Sequence, residues 1–319
     1  MSRSHHPLKA ILTKTLAALV LPLAALSPAQ AAEHTVDTAF GPVTIEGQPE
    51  RVVTLYEGAL DATLAVDANA VGAVITRGGT DVADYIKSEA GDIRIVGTPG
   101  ETNIEAVVAA RPDLILTSSR TSKEQFELLS RVAPVVVSDV PLFQPDSWIR
   151  ETRLYASALG REGAGESVID RVRNRIAEVA DLVNETIPAD QRDATLVRWM
   201  PQGPLVMAEG LFSASILQAV GFDVTDNGLV KEGRPHSEPL SLENLSSMDQ
   251  TWVFLATLNE DGQKALDSAR KSPAFARLEA VEAGRVASVS GQLWTSASGP
   301  LAVLAILDDI EVAVRDMNP

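Results

Sequence analysis

The sequence contains no cysteine. Disulfides and thiolate zinc sites are therefore excluded. Lipid attachment at an N-terminal cysteine has no acceptor either, so the expected product carries no lipid anchor. A chain of 319 residues can do without covalent staples, because it can bury a large core. Histidine is almost as scarce. Of four, only His34 and His236 lie beyond residue 31, too few for a histidine-rich zinc site. Tyrosine is limited to Tyr56, Tyr85 and Tyr155, a poor supply for holding a bare ferric ion. Neither a G-x-S-x-G elbow nor a phosphate-binding G-x-x-x-x-G-K-[ST] loop occurs, and a Ser-His-Asp triad would have to use one of two histidines. No enzyme is expected; a secreted enzyme stands as a remote alternative.

Long apolar runs are missing beyond the N-terminus, so no membrane span is expected. The one apolar run is 16–26, interrupted by Pro22, preceded by Arg3, Lys9 and Lys14, and followed by Ala29-Gln30-Ala31. It is too short to span a bilayer, and its flanks are those of a cleaved secretory signal peptide over residues 1–31. Basic residues are also short: 27 against 43 acidic. Removing 1–31 leaves 288 residues with 24 basic and 43 acidic, a net charge of about −19. Binding to nucleic acid or to an anionic membrane surface is disfavoured.

What is present is alternation. After a short hairpin at 35–45, apolar strands at 51–56, 71–75, 94–96, 114–117 and 135–138 are separated by helical segments at 59–66, 81–87, 103–111 and 122–132. Apolar strands between helices predict an α/β fold with a largely parallel sheet. From 148 to 187 no strand is legible. Gly160, Gly163 and Gly165 are expected to break this region early, and apolar residues from Val168 to Val183 then recur at helical spacing. An amphipathic helix over 167–187, about 30 Å long, follows, with Pro188 at its end.

Alternation resumes with strands at 196–200, 252–256 and 286–289 and helices at 213–220, 242–246 and 301–314. The halves echo each other. Ile104-Glu105-Ala106-Val107 leads through Pro112-Asp113 into 114–116, as Leu242-Glu243-Asn244-Leu245 leads through Met248-Asp249 into 252–255. The expected architecture is two Rossmann-like α/β lobes joined by one long backbone helix, with a ligand cleft between the lobes. The expected division is the signal peptide over 1–31, an N-terminal lobe over 32–145, a connecting helical segment over 146–190 and a C-terminal lobe over 191–319.

The run Val96-Gly97-Thr98-Pro99-Gly100, then Asn103-Ile104-Glu105 and Ala110-Arg111-Pro112-Asp113-Leu114-Ile115, resembles the iron-siderophore and vitamin B12 binding proteins of ABC importers. Ser241-Leu242-Glu243, Gly284-Arg285-Val286, Trp294, Gly299-Pro300-Leu301-Ala302 and Leu307-Asp308-Asp309 extend the resemblance over nearly the whole mature chain. It implies a periplasmic receptor that binds a ferric siderophore of hydroxamate or citrate type, closes slightly and hands it to a permease. The expected state is a monomer. Haem and cobalamin receptors share the resemblance and are the nearest alternatives; a haem site would use Tyr56 or His236 as axial ligand.

A ferric siderophore brings its own iron ligands, so no cofactor and no protein-bound metal are expected. The receptor must instead supply cations and aromatic faces. The resemblance points to Arg77 after the second strand and Arg120 after the 114–117 strand. In the second half it points to Arg198 with Trp199, and to Trp294 with Thr295 before the last helix. Tyr56 ends the first strand, and Lys231, Arg234 and His236 lie in a loop that could cover the cleft. Taken singly, a loop arginine is a solvated charge or a salt-bridge partner, and Tyr56 and Trp294 suit a core equally well. Glu105 and Glu243, at matching places in the halves, are implied to dock the permease. Thr102-x-x-Glu105 also reads as a capping box, and Glu243 lies in a first helical turn.

Overall fold

The computed structural model describes residues 1–2, 33–141 and 144–316. Apart from Met1 and Ser2, the expected signal peptide over 1–31 lies outside the described residues. Among them, no helix is long and apolar enough to cross a membrane.

Each lobe is built on its own five-stranded sheet. In the N-terminal lobe the strands run Arg94–Ile95, Ala70–Ala73, Val52–Thr54, Leu114–Thr117 and Val135–Val137 across the sheet, all parallel. Their residues are almost all apolar, and the three strands from Val52–Thr54 to Val135–Val137 are buried throughout, as a sheet covered on both faces requires. In the C-terminal lobe Asp193–Met200 pairs in parallel with Trp252–Thr257, which pairs in parallel with Val286–Ser290. Asp223–Val224 adds a short parallel pairing. Gly203–Val206, not foreseen in the sequence, folds back antiparallel on Asp193–Met200. The N-terminal hairpin, Glu33–Thr38 with Gly41–Glu46, is as expected.

Helix Ser147–Ala158 and the long helix Glu162–Thr186 join the lobes. The long helix starts five residues earlier than its apolar periodicity indicated. Gly163 and Gly165 do not break it. Gly165 lies where a Cβ would come within 2.6 Å of the Ala156 Cβ, so its missing side chain lets the two helices cross closely. Gly160 has φ +63 and marks the turn between them. Arg153 donates to both Glu166 carboxylate oxygens across this crossing, at 2.6 and 3.0 Å. Further along, Val172, Val179 and Val183 bury in one core with Ala302, Ile306 and Ile310 of the C-terminal helix Pro300–Asp316. Twenty-five residues make a strut of about 37 Å.

A second tie between the lobes runs through Asp61 of helix Glu57–Ala65, which is fully buried. Its carboxylate accepts from the backbone N–H of Leu301 at 2.9 Å and of Ala302 at 2.8 Å. An acid of the first lobe thus caps the N-terminus of the last helix, where free N–H groups and the helix dipole favour negative charge. Tyr85 donates to the same carboxylate at 2.9 Å. Gly299, with φ +117, leaves the room this needs, since a Cβ there would lie 2.4 Å from Asp61 Oδ1.

Candidate functional site

Parallel α/β sheets bind ligands at the carboxyl ends of their strands, and residues of both lobes line one hollow here. A cavity of about 310 Å³ opens between the lobes. The first lobe contributes segments that follow its strands: Tyr56 after Val52–Thr54, Arg77 after Ala70–Ala73, and Ser118 and Arg120 after Leu114–Thr117. The second lobe contributes Arg198 from within a strand, Met207, His236 and the segment from Trp294 to Ser298.

Of the ten residues considered as ligand contacts, seven meet at this cavity: Tyr56, Arg77, Arg120, Arg198, His236, Trp294 and Thr295. Tyr56 does not end a strand. It is extended, with φ −153, and serves as the N-cap residue of helix Glu57–Ala65. Its hydroxyl donates to Glu151 Oε2 at 3.3 Å. Burial, then the Glu151 charge, raises the phenol well above the usual tyrosine range. His236 is fixed beside Met207 by a backbone bridge, and its Nδ1 lies 2.7 Å from its neighbour's carbonyl, Ser237 O. Trp294 reaches the cavity, but its ring belongs to the core. It stacks on Phe254 with centroids 5.1 Å apart and donates Nε1–H to Asp309 at 2.7 Å.

Three candidates lie elsewhere. Trp199 follows Arg198 in the same strand, so the alternation of side chains sends it to the opposite face. There it is buried and meets Phe275 edge to face at 5.9 Å. Arg234 and Lys231 are exposed and do not line the cavity. The pairing of Ala208 N with Pro235 O anchors the loop just beyond them.

Among the described residues, Arg77, Arg120 and Arg198 make no ion pair and no side-chain hydrogen bond. Arg77 and Arg120 are exposed at the cavity; Arg198 is only 9% exposed. Arg198 Nε is buried with no partner. Burial, and then the Arg77 charge across the cleft, push its guanidinium below the usual arginine range. Some arginines elsewhere are put to structural use. Arg175 pairs with Asp308 and Glu311, and Arg51 holds the Ala110 and Arg111 carbonyls. Three guanidinium groups from two lobes can together hold an anion with several carboxylates or oxyanions.

Glu57, Glu151 and Asp61 were missed in the sequence. Glu57 and Glu151 line the cavity, although each is under a tenth exposed. Burial is the main cause that pushes all three up to about 7. The available signal was an acid on an otherwise apolar helix, as in Glu57-Gly58-Ala59-Leu60-Asp61-Ala62.

Glu105 and Glu243 are both exposed, away from the cavity, and form no ion pair among the described residues. The capping-box reading of Thr102 with Glu105 is corrected. Asn103 is the N-cap and accepts from Ala106 N at 3.0 Å, while Thr102 accepts from Gln125. Among the described residues, no cluster of three metal-binding side chains occurs.

Residues 52–293 match the model of a family described as periplasmic binding protein. A Bacillus subtilis (strain 168) protein named as a probable siderophore-binding lipoprotein, YfiY, is 28% identical over 287 residues, covering 87% of this chain and 86% of its own. The Fe(3+)-citrate-binding protein YfmC of the same organism is 26% identical, covering 81% of this chain and 79% of its own. Among solved structures, Staphylococcus aureus SirA complexed with staphyloferrin B superposes with a TM-score of 0.75 at 25% identity, covering 88% of this chain and 98% of that one.

Proposed function

Because this chain belongs to the periplasmic binding protein family, we propose that it captures a ferric siderophore of citrate or hydroxamate type and delivers it to the permease of an ABC importer. The family is one of substrate binding, and the proposed role involves no turnover. The observation that carries the reading is the trio Arg77, Arg120 and Arg198. In a chain with a large acidic excess, three guanidinium groups converge from two lobes on one cavity and pair with no anion among the described residues. Leaving Arg198 buried and unpartnered is costly unless a ligand completes it. The names of YfiY, YfmC and the SirA complex support the same ligand class.

In this reading the iron keeps the ligands its chelator supplies, and the protein grips the outer oxygens. The long helix and the Asp61 cap restrain the lobes, so closure is slight. Glu105 and Glu243 remain exposed, one on each lobe, as docking charges for the permease, where rim charges set orientation more than affinity. The protein acts as a periplasmic monomer after cleavage behind Ala31.

A haem reading is less well supported. The Tyr56 hydroxyl is engaged with Glu151 and holds its proton tightly, which opposes its use as an axial phenolate. The test is titration of tryptophan fluorescence with ferric citrate, ferric hydroxamates, ferric catecholates, haemin and cobalamin. Saturable quenching by a ferric citrate or hydroxamate complex is expected. A Soret shift with haemin, or binding of cobalamin alone, would overturn the assignment.

A further inference from the structure

The cavity that holds the three arginines also holds two carboxylates. Glu57 is 8% exposed and Glu151 7%, and both line it. Neither is ion-paired with Arg77, Arg120 or Arg198. Glu57 Oε1 instead accepts from Thr76 Oγ1 at 2.6 Å, and Glu151 Oε2 from the Tyr56 hydroxyl at 3.3 Å. Arg77 acts on Glu57 only through space. Meanwhile Arg198 Nε lies buried without a partner in the same hollow. Guanidinium and carboxyl groups thus line one cavity without pairing with each other, although guanidinium and carboxylate form strong bidentate pairs wherever they meet.

The charges are also sorted by position. Glu57 opens the first helix of one lobe, and Glu151 sits on the joining helix and accepts from Tyr56, the residue just before Glu57. Arg77 and Arg120 stand on exposed segments of the first lobe, and Arg198 on the sheet of the second. A ligand that is only an anion would satisfy the arginines and be opposed by the carboxylates at reduced dielectric. A ligand with an anionic arm and a cationic donor arm satisfies both.

We propose that Glu57 and Glu151 form a second recognition element of this cavity, reading a protonated amine on a carboxylate-type ferric chelate. The substrate class is then zwitterionic, with carboxylates for the arginines and an ammonium group for the glutamates. The inference rests on the siderophore-receptor reading above.

The experiment titrates the fluorescence of the whole chain with three probes: ferric citrate, the ferric complex of a citrate amide bearing a free primary amine, and the same complex after N-acetylation. The wild type is expected to prefer the amine-bearing complex over the other two by about tenfold or more, the scale of one charge-assisted hydrogen bond. Glu57→Gln and Glu151→Gln are each expected to lose most of that preference, weakening the amine-bearing complex while ferric citrate binds as well or better. Wild-type binding of all three probes without preference overturns the inference and leaves the siderophore reading intact, as does equal weakening of every probe in the glutamine variants. Failure to bind any ferric probe overturns both. The acetylated probe keeps the test decisive on wild-type protein even if a variant does not fold.

Discussion

Arg198 occupies a strand position that ordinarily holds a core side chain. Its neighbours across the sheet are Leu205 and Ala256, and its flanking residues Val197 and Trp199 are buried on the other face. A guanidinium here costs stability unless something pairs with it. Truncating it should therefore weaken ferric-siderophore binding, by about 1–3 kcal/mol for loss of one charged hydrogen bond. Arg77→Ala should act in the same direction, and titration with the ferric complex that quenches the wild type checks both. Unchanged affinity in both variants would remove these residues from the site. The buried acids make a second prediction. Glu57, Asp61 and Glu151 are pushed up to about 7, chiefly by burial. Each binds its proton more tightly folded than unfolded, so its contribution to stability is complete below the usual carboxylate range and is lost as pH rises through about 7. The thermal midpoint should fall from roughly pH 5 to roughly pH 8, and Glu57→Gln should flatten that fall. Relief of the acidic net charge acts in the same sense in both proteins, so the difference between the two melting series isolates Glu57.

Among the elements, the crossing of Ser147–Ala158 with Glu162–Thr186 is the most exacting. Gly165→Ala would drive a methyl into Ala156, and overpacking of this kind costs about 1–3 kcal/mol. Combining it with Ala156→Gly should recover most of the loss, a coupling that a double-mutant cycle in urea reads directly. This crossing also shows where sequence patterns stop. Apolar alternation located the strands of the first lobe, because a parallel sheet covered on both faces demands near-continuous apolar runs. The long helix was legible from Val168 onward, because its buried stripe keeps helical spacing. Its first turns were hidden, because Gly163 and Gly165 read as breakers when one of them serves packing. The antiparallel strand Gly203–Val206 was missed, since four residues with a proline give little period to read. At the site, Arg77, Arg120 and Arg198 came from the family resemblance, and all three line the cavity. Trp199 was misplaced because a two-residue alternation fixes which faces differ and not which one faces the ligand. Glu57, Asp61 and Glu151 were invisible as a group, because only the folded chain brings helix Glu57–Ala65 against Ser147–Ala158 and Pro300–Asp316.

At the scale of the whole molecule, two sheets face one hollow and are tied twice, by the long helix and by the Asp61 cap on the last helix. Asp61→Asn keeps the shape but sets an amide NH2 against one of the two backbone N–H groups of that cap. It should lower stability by about 1–3 kcal/mol, the cost of a buried donor left without an acceptor, with equilibrium unfolding as the measurement. Delivery belongs to the same scale. Glu105→Ala with Glu243→Ala should leave ferric-siderophore affinity unchanged and slow uptake in cells that depend on this importer, and normal uptake in the double variant would refute the docking role. The central claim, that the cavity grips a pre-chelated iron without ligating it, is tested most directly by anomalous diffraction at the iron edge from crystals grown with ferric citrate or a ferric hydroxamate. The account predicts one iron peak between the lobes, with Arg77, Arg120 and Arg198 on the chelator's oxygens and no protein atom bound to the metal. An iron outside that hollow, or one ligated by Tyr56, His236 or Glu151, would contradict it.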